Sequence, residues 1–377
     1  MTRMTIVRGL LYVLLPCALA VHVVQARADQ KIDAVPGSPV TATGILDKAP
    51  YRIDIPGNWN HQLVMLLHGY EPKGSPRAET LAQNEATPVF LERGYAVAQS
   101  AYSTQGWATA EAVPDTERLR AHFVEKYGKP RHTYIVGFSL GGQGALASME
   151  RHGAGYDGAL SLCGVNVSTR QALEEAVVTT LVAFDYFFPD TLGLAPHGLT
   201  DPASPPMVDP QAIEMALQKN EKAAAILSTR LEVPRAGLAG AVMLDYLVLR
   251  EFQARAGGHP VDNSATVYKG FGDDAAFNKG VRRYKGDAKA MQYVAANAVL
   301  TGRIDKPIVL FSNEADPTVP KRFGTAYPAL VKQAGRSEDL MVLPRVGEGH
   351  CDFTPAQIGS AFSTLTGWVD SGKRPTP

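Results

Sequence analysis

Hydrophobic residues follow two patterns that alternate along the chain. Short continuous apolar runs are typical of strands buried on both faces of a parallel sheet, and longer segments with apolar residues three or four positions apart are typical of amphipathic helices. The predicted strands are Tyr51–Ile55, Leu63–Leu67, Tyr95–Gln99, Thr133–Val136, Ala159–Cys163, Pro307–Phe311 and Leu340–Leu343. The predicted helices are Pro88–Arg93, Asp115–Tyr127, Gln143–Glu150, Thr325–Gln333 and Pro355–Asp370. This alternation predicts an α/β fold with a mostly parallel central sheet flanked by helices.

The alternation is interrupted between the fifth and sixth of these strands. From about Gly164 to Asp305 the pattern is helical, with segments Ala172–Phe187, Pro210–Thr229 and Ala236–Ala256 separated by joints rich in Pro and Gly. A stretch of this length is too long for a loop. We therefore expect an α/β core formed by residues 29–164 and 305–377, and a largely helical cap or lid inserted as residues 165–304.

The first residues have the features of a secretory signal. Arg3 and Arg8 are followed by an apolar stretch from Leu10 to Val24 and by Ala26-Arg27-Ala28, an A-x-A cleavage site. The sequence predicts a signal peptide of residues 1–28 and a periplasmic or secreted mature protein without a stable membrane anchor; an uncleaved anchor is the alternative. Residues 29–50 are polar and are expected to form a loose lead-in.

Composition narrows the classes of partner. The 377 residues are 45% hydrophobic and 20% charged, with a formal net charge of +0, so a large core is available and no basic tract favours nucleic acid. No spacing of ligating residues predicts a metal or another cofactor. After signal cleavage Cys163 and Cys351 remain, and in an oxidising compartment they form either one disulfide or two buried thiols.

One short turn has the residue types of a catalytic nucleophile. Gly137-Phe138-Ser139-Leu140-Gly141 connects a predicted strand to a predicted helix. A Gly-x-Ser-x-Gly turn in this context holds its serine in a strained conformation above the sheet, and the small residues let the strand and the helix pass closely. The helix N-terminus beneath the serine favours developing negative charge.

A serine nucleophile needs a general base, and the base needs an acid that orients it. Asp316 follows the strand that ends at Phe311, and His350 follows the strand that ends at Leu343. Glu314 competes locally with Asp316 as the acid. The order Ser139, Asp316, His350 on three strand ends predicts a catalytic triad.

These residues resemble the α/β-hydrolase superfamily over most of the mature chain except the insertion. The matching segments are His68-Gly69-Tyr70, Gly137 to Gly141, Asp316 to Pro320 and Gly349-His350. The resemblance implies an exported serine hydrolase that cleaves a small or polymeric carboxylic ester through an acyl-enzyme, without a cofactor. It also implies an oxyanion hole formed by the backbone N–H groups of Tyr70 and Leu140, with His68 in a structural role.

Two weaker features concern the substrate and the cysteines. The segment Tyr102 to Trp107 follows a strand end, and these two aromatic side chains either contact the substrate or pack the loop onto the core. Cys351 directly after the histidine resembles tannases and feruloyl esterases, in which such a cysteine pairs with a cysteine before the serine. Here Phe138 stands before Ser139, which leaves Cys163 as the only possible partner.

Other functions stay open at this point. The same machinery serves a prolyl-peptidase-like serine peptidase, although the chain has neither a propeller nor a recognisable acidic anchor for a substrate amine. An acyltransferase differs only in excluding water. A non-catalytic binding protein on the same fold is the third alternative, because fold alone does not decide function.

Overall fold

A computed structural model describes residues 37–297 and 300–376. Its main sheet has eight strands in the order β1-β2-β4-β3-β5-β6-β7-β9. Their bounds are β1 Val40–Leu46, β2 Ala49–Ile55, β3 Leu63–Leu67, β4 Ala96–Ser100, β5 Thr133–Phe138, β6 Gly158–Leu162, β7 Ile308–Phe311 and β9 Leu340–Val342. Strand β2 is antiparallel to both of its neighbours, and the pairs from β4 to β9 are parallel. The predicted α/β class with a mostly parallel sheet is therefore confirmed.

The hairpin at the edge of the sheet was missed by the sequence analysis, which treated residues 29–50 as a loose lead-in. Strand β1 pairs with β2 from Val40↔Ile55 to Leu46↔Ala49. Its residues alternate between half-buried and exposed, as expected for an edge strand with one solvated face. The turn residues Asp47 and Lys48 both have positive φ, as a type I′ hairpin turn requires, but the turn lacks the glycine that normally signals it.

Helices cover both faces of the sheet. They are α1 Thr87–Leu91, α2 Thr109–Tyr127, α3 Leu140–His152, α11 Phe323–Gln333 and α12 Pro355–Ser371. Apolar side chains from α2 and α3 pack on one face around Ile135 and Ala159, and those from α1 and α12 pack on the other around Val64 and Val136. This arrangement buries β3 and β6 completely and β5 except for Phe138, which explains their mostly apolar sequences.

The insertion between β6 and β7 consists of helices in the part that the structure describes. They are α4 Thr169–Ala172, α5 Thr179–Phe187, α6 Pro210–Lys219, α7 Glu221–Leu231, α8 Leu238–Ala256, α9 Asp274–Gly280 and α10 Ala288–Asn297. A π-helical turn, Leu173–Val178, joins α4 to α5. Their shared core includes Phe184, Phe252 and Phe277, and it also contains Trp107 and Leu140 of the α/β core. The insertion therefore packs directly over the end of the sheet that carries the serine turn.

A second, two-stranded sheet lies at the carboxyl edge of the main one. Strands β8 Asn313–Ala315 and β10 Val346–Glu348 are parallel, with Val346 opposite Asn313 and Glu348 opposite Ala315. Neither strand was predicted, because each has only three residues and exposes polar side chains. Their pairing brings the segments that follow them, residues 316 and 350, to the same place.

Two predictions concern the chain ends and membranes. The predicted signal peptide and its cleavage after Ala28 lie outside the described residues. Among the residues that the structure describes, no helix is both long and apolar enough to cross a bilayer.

Candidate active site

The turn around Ser139 has the strained geometry that its sequence predicts. Ser139 has φ 54° and ψ −120°, a conformation that residues other than glycine seldom adopt. A Cβ on Gly137 would lie 2.0 Å from the Gly141 oxygen, and one on Gly141 would lie 2.3 Å from the Leu67 oxygen. Glycine is therefore required at both positions, because β3, β5 and α3 meet there without room for a side chain.

The structure brings Ser139, His350 and Asp316 into one hydrogen-bonded chain. Ser139 Oγ lies 2.8 Å from His350 Nε2, and His350 Nδ1 lies 2.8 Å from Asp316 Oδ2. Asp316 is 5% exposed, and its other oxygen accepts the backbone N–H groups of Thr318 and Val319 at 2.7 and 2.9 Å. An acceptor-only carboxylate on Nδ1 requires that this nitrogen carries the proton, so Nε2 is left free to accept from the serine hydroxyl.

The competing acid does not reach the histidine. Glu314 is exposed and pairs with Lys321 at the surface. In contrast, Gly349 N–H donates to the Ala315 carbonyl at 2.8 Å, which holds the histidine segment beside Asp316. The geometry therefore selects Asp316 over Glu314 as the partner of His350.

The two cysteines form a disulfide next to the histidine. Cys163 and Cys351 are bonded, with Cα atoms 5.2 Å apart. Cys163 directly follows Leu162, which is paired with Phe138 in the sheet and accepts the Ser139 N–H at 3.0 Å. The alternative of two free thiols does not apply to this structure. The bond links the histidine loop to the strand beside the serine, although Phe138 occupies the position before Ser139.

Two backbone N–H groups beside Ser139 are free to bind an oxyanion. A Cβ on Gly69 would lie 3.1 Å from Ser139 Cβ, so the segment that leads to Tyr70 is in contact with the serine. Leu140 is the first residue of α3, where backbone N–H groups lack helical partners. Within the described part of the chain, neither the Tyr70 nor the Leu140 N–H has a backbone acceptor. Both residues line the same pocket as Ser139.

This pocket is mainly apolar and has a cavity volume of about 60 Å³. Its apolar walls are Trp107, Val165, Ala172, Ala176, Val177, Leu244, Val248, Val319 and Phe323. Most of them belong to the inserted helices, so the insertion forms the wall opposite the serine. The aromatic residues Phe184 and Phe188 do not line the pocket; they stack on each other, buried among the inserted helices.

The two aromatic residues considered for substrate contact have different positions. Trp107 lines the pocket, and its ring N–H donates to Thr169 Oγ1 at 3.1 Å. Tyr102 is 2% exposed, stacks on His68 with ring centroids 4.1 Å apart, and donates its hydroxyl to the His68 carbonyl. Tyr102 therefore packs the loop onto the core and does not line the pocket.

Helix α8 contributes two acidic residues that the sequence analysis did not identify. Glu251 is 8% exposed; it accepts the Trp107 N–H at 2.9 Å and pairs with Arg255 at 3.1 Å. Asp245 lines the pocket, and burial raises the pKa of its carboxyl group to about 7 against the opposing effects of Thr180 and Arg322. The sequence did contain a signal for these two residues. Asp245, Val248 and Glu251 are spaced three apart in Leu238–Ala256, which places two acidic residues on one otherwise apolar helix face.

The described residues contain no group of three or more His, Cys, Asp or Glu side chains arranged to hold a metal ion. Asp273 and Asp274, which the sequence places in a glycine-rich loop, instead accept backbone N–H groups at the start of α9. Their carboxylates are used as helix and turn caps.

Comparisons with known proteins gave one family match and many structural matches. Residues 45–191 match a family described as "Tannase-like family of unknown function (DUF6351)". No curated protein matches the sequence. Many solved structures resemble the fold at low sequence identity.

Three of these structures illustrate the likeness. Dipeptidyl peptidase 4 of Porphyromonas gingivalis is 9% identical with a TM-score of 0.45; the match covers 89% of this chain and 36% of that one, so this chain spans about a third of its length. A serine hydrolase of Cycloclasticus zankles is 15% identical with a TM-score of 0.42, over 89% of this chain and 99% of that one. Est1E of Butyrivibrio proteoclasticus is 11% identical with a TM-score of 0.44, over 88% and 99%.

The fold is assigned from the architecture of this chain. The sheet order is 1-2-4-3-5-6-7-9 with only β2 reversed, the Gly-x-Ser-x-Gly turn follows β5, and Asp316 and His350 follow later strand ends. The chain therefore has the α/β-hydrolase fold, a mostly parallel central sheet flanked by helices.

Proposed function

We propose that the protein is an exported serine hydrolase that cleaves carboxylic esters through an acyl-enzyme intermediate. The single observation that carries the proposal is the chain of hydrogen bonds from Ser139 through His350 to Asp316, at 2.8 Å in both links. A serine hydroxyl is a weak nucleophile unless an adjacent base removes its proton. Here the base is in contact with the serine, and a buried carboxylate orients the base.

The reaction follows from the positions of these groups. As Ser139 Oγ attacks the ester carbonyl, its proton passes to His350 Nε2, and the oxygen of the tetrahedral intermediate accepts the N–H groups of Tyr70 and Leu140. His350 then gives the proton to the leaving alcohol oxygen as the bond between carbon and alcohol breaks. Water, deprotonated by His350, attacks the acyl-enzyme in the same way and releases the acid.

The pocket supports a substrate with an apolar group next to the scissile bond. Trp107, Val177 and Val248 are among the side chains that line it, and water displaced from such a surface favours binding. Its cavity volume of about 60 Å³ corresponds to a small substrate group.

The first experiment tests the nucleophile. We expect a fluorophosphonate to label the purified mature protein at one site, and Ser139→Ala to abolish both labelling and hydrolysis of p-nitrophenyl esters. Ser148→Ala is the matched control: Ser148 lies buried on the same helix and its hydroxyl has no partner, so its loss should leave labelling unchanged. Equal labelling of wild type and Ser139→Ala would overturn the proposal.

A second comparison tests the scissile bond. A p-nitrophenyl ester and a p-nitroanilide with the same acyl group should differ strongly, with turnover of the ester only. Comparable turnover of the anilide would favour the peptidase alternative over an esterase. The chain-length dependence of the ester series then measures the apolar pocket.

Export is proposed from the N-terminal sequence alone. It predicts that the protein recovered from outside the cytoplasm begins at Asp29. N-terminal sequencing or intact mass of that protein tests this; a chain that retains residues 1–28 would contradict cleavage.

A further inference from the structure

Asp245 is the only charged residue among the described residues that line the pocket of Ser139. It is half-buried, and Leu244 and Val248 of the same helix line the pocket with it. Val248 is three residues from Asp245 and four from Leu244, and residues at these spacings lie on one face of a helix. The carboxyl group therefore lies on the face of α8 that borders the pocket.

This carboxyl group has no ion-pair partner within the described part of the chain. Arg322 is the cation whose field acts on Asp245, but Arg322 lies 3.7 Å from Glu232 and donates to the Leu231 carbonyl. The Thr180 hydroxyl bonds to Asp245 and carries no charge. A carboxylate has about four acceptor sites, so the hydroxyl leaves most of them free. An ionised Asp245 thus lacks a counter-ion in the pocket.

The other titratable groups around the pocket and α8 do not compensate this charge. Burial raises the pKa of Tyr70, so its hydroxyl is neutral, and the triad histidine is bonded to Ser139 and Asp316. The charged groups of the neighbouring helices pair with one another: Glu174 with Arg170, Glu214 and Glu221 with Arg235, Asp185 with Arg282, and Glu251 with Arg255. Burial raises the pKa of Asp245 to about 7, and a cation beside it would favour its ionised form.

The size of the pocket limits the group that such a cation is attached to. The cavity volume is about 60 Å³, which corresponds to about four water-sized groups at roughly 15 Å³ each. Ser139 and Asp245 border this same small space, and its other walls are mainly apolar. A short acyl chain on Ser139 therefore fills the space between the two residues.

We propose that Asp245 selects the acyl group of the substrate by binding a protonated amine on a short acyl chain. The ammonium group donates to the carboxylate, the methylene groups contact Leu244 and Val248, and the ester carbonyl lies at Ser139. The assignment rests on the proposed function, because the reaction at Ser139 defines which part of the ligand is the acyl group. Esters and amides can both carry such an amine.

The ethyl ester of β-alanine and ethyl butanoate form the probe pair, because they differ only by an ammonium group in place of a methyl group. An alkyl ammonium keeps its proton through about pH 8. At pH 8 we expect Asp245→Asn to lower the ratio of the two kcat/KM values, amine ester over butanoate, about tenfold or more, mainly through KM. The ratio removes the difference in intrinsic reactivity between the two esters.

Val248→Ala is the matched control on the same helix face. It removes apolar contact without a change of charge, so it should affect both esters alike and leave the ratio unchanged. The pH dependence gives a second readout. In wild type, the KM for the amine ester should fall as Asp245 ionises between about pH 6 and 8, and in Asp245→Asn it should stay flat.

Binding to Ser139→Ala tests the site without turnover. Near pH 7 the free carboxyl is about half protonated, so binding of the β-alanine ester should release up to about half a proton, measured by calorimetry in two buffers of different ionisation enthalpy. Ethyl butanoate should release none. The Ser139→Ala protein that also carries Asp245→Asn should release none with either ester.

Three outcomes would overturn the amine site: an unchanged ratio in Asp245→Asn, no proton release with the β-alanine ester, or equal preference for ethyl 3-hydroxypropanoate. The last would show that Asp245 binds a neutral hydroxyl group instead of a cation. The proposed function fails separately. Proton release without fluorophosphonate labelling would contradict the hydrolase and keep the amine site, and labelling with an unchanged ratio would do the reverse.

Discussion

Cys351 is bonded to Cys163 across 188 residues of chain, and His350 directly precedes it. The disulfide joins the loop that carries the proposed base to the end of β6, beside the Ser139 turn. Both cysteines have positive φ, 47° for Cys163 and 57° for Cys351. The position of His350 thus depends on a covalent link as well as on its hydrogen bond to Asp316.

Loss of this disulfide should reduce both stability and activity. By the chain-entropy account, a bond closing a loop of this length contributes at most about 5 kcal/mol to the free energy of unfolding. We expect Cys351→Ser and Cys163→Ser each to lose roughly 2–5 kcal/mol and to lower kcat, because the histidine loop gains freedom. Denaturant unfolding and ester hydrolysis measure these two quantities.

The double variant is the control for this prediction. Since each single change breaks the same bond, Cys163→Ser with Cys351→Ser should lose no more than either one alone. Dithiothreitol should inactivate wild type and have no effect on the double variant. Single variants with full activity would show that the bond does not position His350.

The carboxylate of Asp316 should matter through the tautomer of His350. Asp316→Asn places an amide where the imidazole N–H now donates, so the ring is no longer held with Nε2 free for Ser139. We expect kcat to fall by roughly 10⁴-fold with little change in KM. Steady-state kinetics on a p-nitrophenyl ester test this.

Glu314→Gln is the matched control, because Glu314 is an acid two residues away that pairs with Lys321 at the surface. It should retain wild-type kinetics. A larger loss of kcat in Glu314→Gln than in Asp316→Asn would mean that Glu314, and not Asp316, is the acid that orients His350.

Helix α8 holds the Trp107 loop through Glu251. This buried contact should contribute more to the free energy of unfolding than the more exposed pair of Arg255 with Glu111. Arg255 pairs with both Glu251 and Glu111, whose side chains are 5% and 29% exposed. Glu251→Ala leaves the buried Trp107 N–H without its acceptor, so we expect a loss of about 2–3 kcal/mol. Glu111→Ala removes a more exposed partner and should cost under about 1 kcal/mol.

Thermal unfolding of the two variants measures this difference, and Trp107 fluorescence reports on the loop. We also expect Glu251→Ala to raise KM, because Trp107 lines the pocket. Equal losses in both variants would mean that the Trp107 N–H does not depend on Glu251.

Features encoded by neighbouring residues were predictable from the sequence, and features that depend on contacts distant in the chain were not. Ser139, Asp316 and His350 were predictable because each follows a strand whose apolar run is evident, and the fold fixes their order. Strand β8 was not predictable, since three residues with an exposed Glu314 have no strand pattern of their own.

The contributions of the insertion were hidden for a different reason. Glu251 meets Trp107 from 144 residues away, and nothing near either residue encodes that contact. Asp245 looks like a solvated position until the packing of α8 over the serine encloses it. The turn at Asp47 and Lys48 was missed because its positive φ values occur without glycine.

Asp245 gives the pocket a charge that depends on pH near neutrality. Burial raises the pKa of this carboxyl from 3.8 to about 7 in the folded protein. Below about pH 4 both the folded and the unfolded chain hold the proton, so Asp245 has no effect on stability. Between about pH 4 and 7 the folded state binds more protons than the unfolded one, so stability falls as the pH rises, and above pH 7 the penalty is complete.

Asp245→Asn removes this dependence without changing the size of the side chain. Since the residue is only half-buried, we expect a penalty of about 1 kcal/mol. The variant should therefore melt about 1–2 °C above wild type at pH 8 and at the same temperature at pH 4. Because an ionised carboxylate makes the pocket less favourable for an apolar acyl group, the KM of wild type for a neutral ester should rise through pH 7, while that of Asp245→Asn stays flat. A difference in melting temperature that is the same at pH 4 and pH 8 would contradict a raised pKa at Asp245, whatever its effect on KM.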